Sequence, residues 1–441
     1  MSSDAVGALT GEVKPTPGLV PKLRFPEFRD AGPWMPTPFD KVLLPVSREI
    51  EKPDLSYTGL GLRSHGRGTF RKPEQNPDKN VMDRLYVVHR DDLVVNITFA
   101  WEGAIAIAGQ DDHGCYVSHR FPTYEFRKGV SSPEFFRYVI TDKTLVYQLG
   151  VISPGGAGRN RVLNKNGFLR LTTLLPKPTE QQKIANCLSS VDALIAAEWE
   201  RLAALRDYKK GLMQRLFPRP ERIEHGEKIP AETTPRLRFP EFQNAGEWEW
   251  TTVDAIAQIL KGKGISKADI SADGQQPCVR YGELYTTYGE VVDEVVSRTN
   301  VARSELFMSR KNDVVIPSSG ETKIDIATAA CVLHDDIALG GDLNVVRSRH
   351  NGIFLSYFLN GPLKNTIARI AQGDSVVHLY PTQIGSLKIA LPSMEEQRRI
   401  ADTIFAVERV IVAQRRRLLN IKAHKSGLMQ QLFPPPAELS A

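Results

Sequence analysis

The sequence predicts an α+β protein written twice, with two globular α/β units each followed by one long helix. Three observations carry that prediction. Two sequence blocks recur in the same order. Each copy of the second block holds an apolar stripe in 4-3 alternation, and the segments between blocks hold short apolar runs followed by helical patterns. At 41% hydrophobic and 24% charged residues, the composition is globular and excludes a disordered or fibrous chain. The longest nearly unbroken apolar stretch, residues 326–333, falls far short of the roughly 20 residues of a membrane span, so no membrane partner is expected.

Taken in order, residues 1–20 are polar, carry Pro15 and Pro17, and read as a flexible tail without the apolar core of a secretory signal. Pro21-Lys-Leu-Arg-Phe-Pro-Glu-Phe-Arg-Asp-Ala-Gly-Pro-Trp34 opens the first unit (21–174). It recurs as Pro235-Arg-Leu-Arg-Phe-Pro-Glu-Phe-Gln-Asn-Ala-Gly-Glu-Trp248 at the opening of the second (235–390). The block 175–218 recurs as 391–434 with nearly half its positions identical, and both copies close on Gly-Leu-Met-Gln-x-Leu-Phe-Pro. Solenoid repeats have periods of about 20–50 residues, so this is duplication of a two-part module.

Between the blocks, 35–174 and 249–390 differ almost everywhere but match closely in length. Two echoes survive: Asp91-Asp-Leu-Val-Val against Asn312-Asp-Val-Val-Ile, and Glu134-Phe-Phe-Arg-Tyr-Val-Ile against Ile353-Phe-Leu-Ser-Tyr-Phe-Leu. Residues 93–97 and 103–108 read as strands, as does Phe168-Leu-Arg-Leu-Thr-Thr-Leu174, while 132–149 and 352–371 read as helical. One scaffold with two different surfaces is the simplest reading. Residues 219–234, charged and Pro-bearing, read as a linker, and 435–441 as a tail.

The repeated helices (175–218 and 391–434) carry matching seams. The first is Ile184, Leu188, Val191, Ile195, Leu202, Leu205, Leu212 and Leu216, interrupted at Glu198 and Lys209. The second is Ile400, Ile404, Val407, Ile411, Leu418, Ile421, Leu428 and Leu432, interrupted at Gln414 and Lys425. Thr179 with Gln182, and Ser393 with Glu396, are candidate caps, and Pro218 and Pro434 end the helices. At 1.5 Å per residue each helix is a rod of roughly 54 Å. So narrow and long a seam wants another helix, and the matching seam on the same chain is the nearest. The alternative is two core helices, each buried in its own half. Patterning does not decide between a parallel and an antiparallel pair, although near-identical halves favour a twofold and hence an antiparallel arrangement.

These residues resemble a known family. Leu-Pro-x-x-x-Glu-Gln-x-x-Ile-Ala (175–185 and 391–401), the long helix, its closing Gly-Leu-Met-Gln-x-Leu-Phe-Pro and the opening Leu-Arg-Phe-Pro-Glu-Phe (23–28 and 237–242) are similar to the conserved regions of the specificity subunit of type I restriction–modification enzymes. The resemblance implies two target-recognition domains separated by an intramolecular antiparallel coiled coil. It implies that each domain reads one half of a bipartite double-stranded DNA target across an unread spacer. It further implies a subunit with no active site, docking two methyltransferase subunits and, through them, restriction subunits. The partners would use S-adenosylmethionine, ATP and Mg, leaving this chain without a cofactor.

The residues themselves offer little chemistry. No G-x-x-x-x-G-K-[ST] or G-x-G-x-x-G loop occurs, nor an Asn-Pro-Pro-aromatic tetrapeptide. Asp313 with Glu321 and Lys323 has the residue types of a Mg-dependent nuclease, and this is the competing reading. Asp111-Asp-His-Gly-Cys115 and Cys331-x-x-His334 lack the second ligand pair a structural zinc requires, so no metal site is expected. Cys115, Cys187, Cys278 and Cys331 are scattered, which fits a cytoplasmic protein.

With 57 Lys+Arg against 51 Asp+Glu, the net charge of +6 is compatible with a nucleic-acid partner. Phosphates want Lys or Arg on closely approaching backbone, and base edges want Arg, Asn, Gln or hydroxyls. The candidates in the first unit are a glycine-rich basic loop with Arg63, His65, Arg67, Arg71 and Lys72, and a second loop with Arg159, Asn160 and Arg161. Those in the second are Lys261, Lys263 and Lys267, then Arg280 and Tyr281 with Tyr285 and Tyr288 nearby, and Gln372, Ser375 and His378.

Overall fold

The computed structural model describes residues 19–155, 161–373 and 376–434. The C-terminal tail, nearly all of the N-terminal tail, and Arg159, Asn160 and Ser375 lie outside the described residues. The chain divides into two units, Met1–Ala197 with Leu418–Ala441, and Glu198–Arg417. The long helices Pro178–Arg215 and Met394–Leu432 each begin in one unit and finish in the other. Each unit is therefore a folded domain, the start of one long helix and the end of the other.

In the first unit, Met35–Pro38 pairs antiparallel with Thr172–Leu175 and closes the domain just before the helix begins. Within that closure lie a four-stranded sheet ordered Leu43–Val46, Thr123–Phe126, Leu93–Val95, Ile105–Ile107, and a five-stranded sheet edged by the hairpin Tyr57–Leu62 and Thr69–Gln75. The expected strands at 93–97 and 103–108 are there. The expected helical stretch 132–149 is broken into Pro133–Val139 and Lys143–Val151. Phe168, read as strand, instead lies in the helix Lys165–Arg170. Asn164 caps that helix by accepting from the Gly167 amide at 2.9 Å, and the strand starts only at Thr172.

The second unit repeats the closure with Glu249–Thr252 against Lys388–Leu391. Its main sheet runs Ala257–Lys261, Leu343–Ser348, Val314–Pro317, Ala330–Val332, Val291–Val292, beside a three-stranded sheet centred on Gln276–Val279. Helices Gly352–Asn360 and Lys364–Ile370 cover the main sheet. The segment 219–234 holds a short hairpin, Arg222–Glu224 against Glu227–Ile229.

Within each unit the two helix segments run antiparallel. In the first, Ile184, Ala185 and Leu188 from the start of one helix share an apolar cluster with Leu428 and Leu432 from the end of the other. In the second, Leu212, Met213 and Leu216 cluster with Ile400, Ala401 and Ile404. None of the fourteen seam positions from Ile184 to Leu212 and from Ile400 to Leu428 is exposed. The polar interruptions are used. Gln414 donates to the Glu198 carbonyl at 3.1 Å and to its carboxylate, which also pairs with Arg417 at 2.9 Å.

The lysine interruptions build matched clusters of lysine, carboxylate and tyrosine, the second with one carboxylate more. Lys425 meets Asp192 at 2.6 Å, and the Tyr138 hydroxyl donates to that same carboxylate at 3.0 Å. Lys209 meets Glu290 at 2.6 Å and Glu408 at 3.2 Å, and Tyr357 donates to Glu408 at 2.5 Å. Each cluster ties a domain helix to the helix pair, which gives a job to the Tyr138/Tyr357 echo.

The Leu-Arg-Phe-Pro-Glu-Phe motif is a clip. The Leu23 amide donates to the Gln431 carbonyl at the end of one helix, while Arg24 makes a two-pronged pair, 2.7 Å each, with Glu180 at the start of the other. Leu237 to Arg215 and Arg238 to Glu396 repeat this in the second unit. Ser393 does cap its helix, accepting from the Glu396 amide at 3.3 Å. Thr179 does not cap the first, because the helix already begins at Pro178, whose missing N–H and fixed φ suit a first position.

Candidate nucleic-acid interface

In the first unit the glycine-rich stretch read as a loop is largely a hairpin. Gly59 and Gly61 lie within Tyr57–Leu62, and Arg71 and Lys72 within Thr69–Gln75. A Cβ at Gly61 would sit 2.3 Å from the Phe70 ring, so any larger residue there would displace that ring. The turn closes by the Arg63 amide donating to the Gly68 carbonyl at 2.9 Å, with Gly66 and Gly68 at φ +63 and +82. The tip is held down by the His65 and Gly66 amides, which donate to the Glu102 and Gly103 carbonyls. Arg63 and Lys72 flank the Phe70 ring, 5.4 and 5.6 Å from its centroid. Arg161, arriving from the second candidate loop, lies 5.3 Å over Trp101, in the same turn that anchors the tip. The fold thus brings Arg63, His65, Arg67 and Arg161 to one rim, with Arg71 and Lys72 farther down the same hairpin. Arg159 and Asn160 are outside the described residues.

The second unit gathers its candidates around residues 340–342. The Lys263 amide donates to the Leu339 carbonyl and the Gly341 amide to the Gly264 carbonyl. The backbones cross so closely at Gly262 that a Cβ would lie 2.0 Å from the Gly340 oxygen. The Gly340 amide donates to the Val279 carbonyl, next to Arg280. On the other side the Ser318 amide donates to the Asp342 carbonyl, and the Leu379 amide to the Ser318 carbonyl, which places His378 beside the same loop. Gln372 and His378 exchange backbone hydrogen bonds, and the exposed His378 and Tyr380 rings stack at 6.3 Å.

Lys261, Lys263 and Lys267 are exposed and make no ion pair among the described residues. Arg280 is less free than its sequence setting implied, being 3.2 Å from the Glu283 carboxylate. Tyr281 and Tyr285 are neighbours at 6.4 Å, and burial with nearby Tyr281, Glu321 and Asp325 raises the Tyr285 phenol. The half-buried Tyr288 hydroxyl is already engaged by the Val296 amide. Ser375 is outside the described residues. Sequence reasoning missed Phe70, Trp101 and Tyr380, the rings under or beside the cations, because an isolated aromatic carries no spacing signal.

The nuclease reading fails on geometry. Asp313 is buried, and both its oxygens are taken by Arg347 at 2.8 and 2.7 Å, with the Arg310 amide adding a third bond. Its echo Asp92 is held the same way by Arg48 and the His89 amide. The pair is an anchor of the scaffold. Glu321 and Lys323 are exposed beside it in sequence only. No group of three or more His, Cys, Asp or Glu among the described residues is arranged to hold a metal ion. Burial pushes the Cys331 thiol up to about 12, so it is a poor ligand, and His334 faces Asp293 at 3.2 Å.

The fold and this face define a class: a chain with two α/β domains, each offering cations on aromatic and glycine-rich supports and clipped to a pair of long helices. Residues 245–423 match the family model of the type I restriction modification DNA specificity domain. The specificity subunit of the type I restriction enzyme MjaVIII from Methanocaldococcus jannaschii is 23% identical over 62% of this chain and 63% of its own length. The putative MjaX specificity subunit from the same organism is 24% identical over 62% and 60%. The chain thus spans somewhat under two thirds of the curated relatives it matches. The crystal structure of a type I restriction-modification system S subunit from M. genitalium shares the fold, with a TM-score of 0.59 at 16% identity over 95% of this chain and 100% of that one. Residues 245–423 thus resemble a DNA specificity domain, and the chain is similar in sequence to the specificity subunits of type I restriction enzymes and in fold to an S subunit of such a system.

Proposed function

We propose that the chain is the DNA-sequence-recognition subunit of a type I restriction–modification complex. Each domain reads one half of a bipartite duplex target, and the helix pair sets the unread gap and docks two methyltransferase subunits. Restriction subunits join through these, and S-adenosylmethionine, ATP and Mg serve the partners. The chain itself carries recognition and no catalysis, and it works in the cytoplasm. The observation that carries this reading is the rim in the first unit, where Arg63 and Arg161 are braced on Phe70 and Trp101. A guanidinium held at a fixed place by a ring loses less freedom on meeting a base edge.

Arg161→Ala is expected to cost about 1–3 kcal/mol against the cognate target while leaving random DNA unaffected, if the side chain reads a base. Equal losses on both, with a shallower salt dependence, would make it a phosphate contact. Anisotropy with cognate and scrambled duplexes separates these outcomes, and unchanged binding of both removes Arg161 from the interface.

A further inference from the structure

One large cavity of the second unit takes no part in this reading. It encloses about 1330 Å³ between the end of the first long helix, residues 218–223, residues 360–369 and the flank of the second long helix. Arg206, Lys210, Arg215, Lys364 and Arg415 line it, and none of the five makes an ion pair among the described residues. The lining carboxylates are already matched: Glu290 and Glu408 by Lys209, and Glu221 by Lys228 at 2.9 Å. Lys364 is only half exposed, so its charge is held partly out of water with no ion-pair partner among the described residues.

Part of this has an ordinary reason, since Lys210 and Arg215 sit in the last turns of a helix, where cations offset the dipole. Arg206, Lys364 and Arg415 have no such reason. The repeat adds a second argument. Positions that serve the shared scaffold are the same or similar in both copies, as with Glu180 and Glu396 or Lys209 and Lys425. Lys210, Arg215 and Arg415 instead correspond to Ser426, Gln431 and Trp199, while Arg206 keeps its charge as Lys422. A cationic pocket with three charges that the other copy lacks serves something other than the duplicated scaffold, and something bound once per chain.

We propose that this cavity binds phosphate groups, from either a free polyphosphate compound or the backbone of nucleic acid. Guanidinium and ammonium groups without ion-pair partners lining one concavity are the chemistry for phosphate oxygens. The volume exceeds the usual 300–1,000 Å³ of small-molecule pockets and admits an extended ligand. The inference stands apart from base reading at the rim around Trp101.

The test uses the full chain and the variant Arg206→Gln/Lys210→Gln/Arg415→Gln, all exposed positions, with each single replacement alongside in case the triple unfolds. Inorganic tripolyphosphate is titrated calorimetrically, and a fluorescent random-sequence duplex by anisotropy over a salt series. The wild type is expected to bind at least one probe, and the variant to bind it at least about tenfold more weakly with a shallower salt dependence. Loss confined to tripolyphosphate identifies a free phosphate compound, and loss of duplex binding that tripolyphosphate competes identifies a backbone. Equal binding of both probes by wild type and variants overturns the proposal. So does a variant that keeps both but no longer associates with a methyltransferase subunit, which would assign the cavity to an acidic protein surface. Lost preference for the cognate sequence with the cavity intact would count against the recognition reading instead.

Discussion

Arg238→Ala is expected to destabilise the second unit by about 3–5 kcal/mol, because it leaves the Glu396 carboxylate buried and uncompensated. The Glu396 side chain is 1% exposed and the Arg238 guanidinium meets it at 2.8 Å through two nitrogens. Removing both charges with Arg238→Met/Glu396→Leu should restore most of the loss, since a buried pair replaced by apolar groups of similar size is often neutral. The first unit offers an internal contrast. There Glu180 also accepts from the Trp34 indole at 3.3 Å, whereas the Trp248 indole nitrogen has no hydrogen-bond partner among the described residues. Arg24→Met/Glu180→Leu should therefore recover less than its counterpart. Urea denaturation of these three variants and of Arg24→Ala reads this directly, and equal recovery in both units would contradict it.

Lys209→Met is expected to cost about as much at neutral pH, roughly 3–5 kcal/mol, by stranding Glu290 and Glu408 together. The sign with pH follows from Glu408. Burial raises its carboxyl above the ordinary 4.5, Glu290 raises it further, and Lys209 opposes both. A carboxyl whose folded value is raised favours the folded state at low pH. That contribution is lost as pH rises from about 4.5 through the raised value. Without Lys209 the folded value climbs higher, so the gap between variant and wild type should be small near pH 4 and widen toward neutrality. Lys425→Met should cost far less, under about 1 kcal/mol, because its partner Asp192 is 43% exposed. Denaturation midpoints across the pH series check both, and a gap that narrows as pH rises would refute this account of the cluster.

Much of the scaffold was legible because local patterns write it. The 4-3 stripes gave the helices and their seams, and short apolar runs gave the strands at Leu93–Val95 and Ile105–Ile107. The antiparallel sense was not legible, because a stripe reads the same in either direction. It emerges from long-range pairs such as Asp192 with Lys425. The opening motif was visible as a repeat but mute about its role, since Arg24 finds Glu180 across 156 residues. Asp313 invited a chemical reading because its partner, Arg347, comes from another strand of the sheet. In the candidate interface, charge and glycine marked the stretch 59–72, read as a loop and folded largely as a hairpin. The rings that brace it are set by tertiary packing, which no spacing rule records.

The central claim is that two independent readers on one chain each recognise half of a divided sequence. Its most direct measurement exchanges residues 35–174 for the corresponding segment of a related specificity subunit. The adenines methylated by the assembled complex are then mapped across a genome. The account predicts a two-part motif in which one half changes while the other half and the gap stay as they were. A motif that is continuous, or one whose two halves change together, would contradict it.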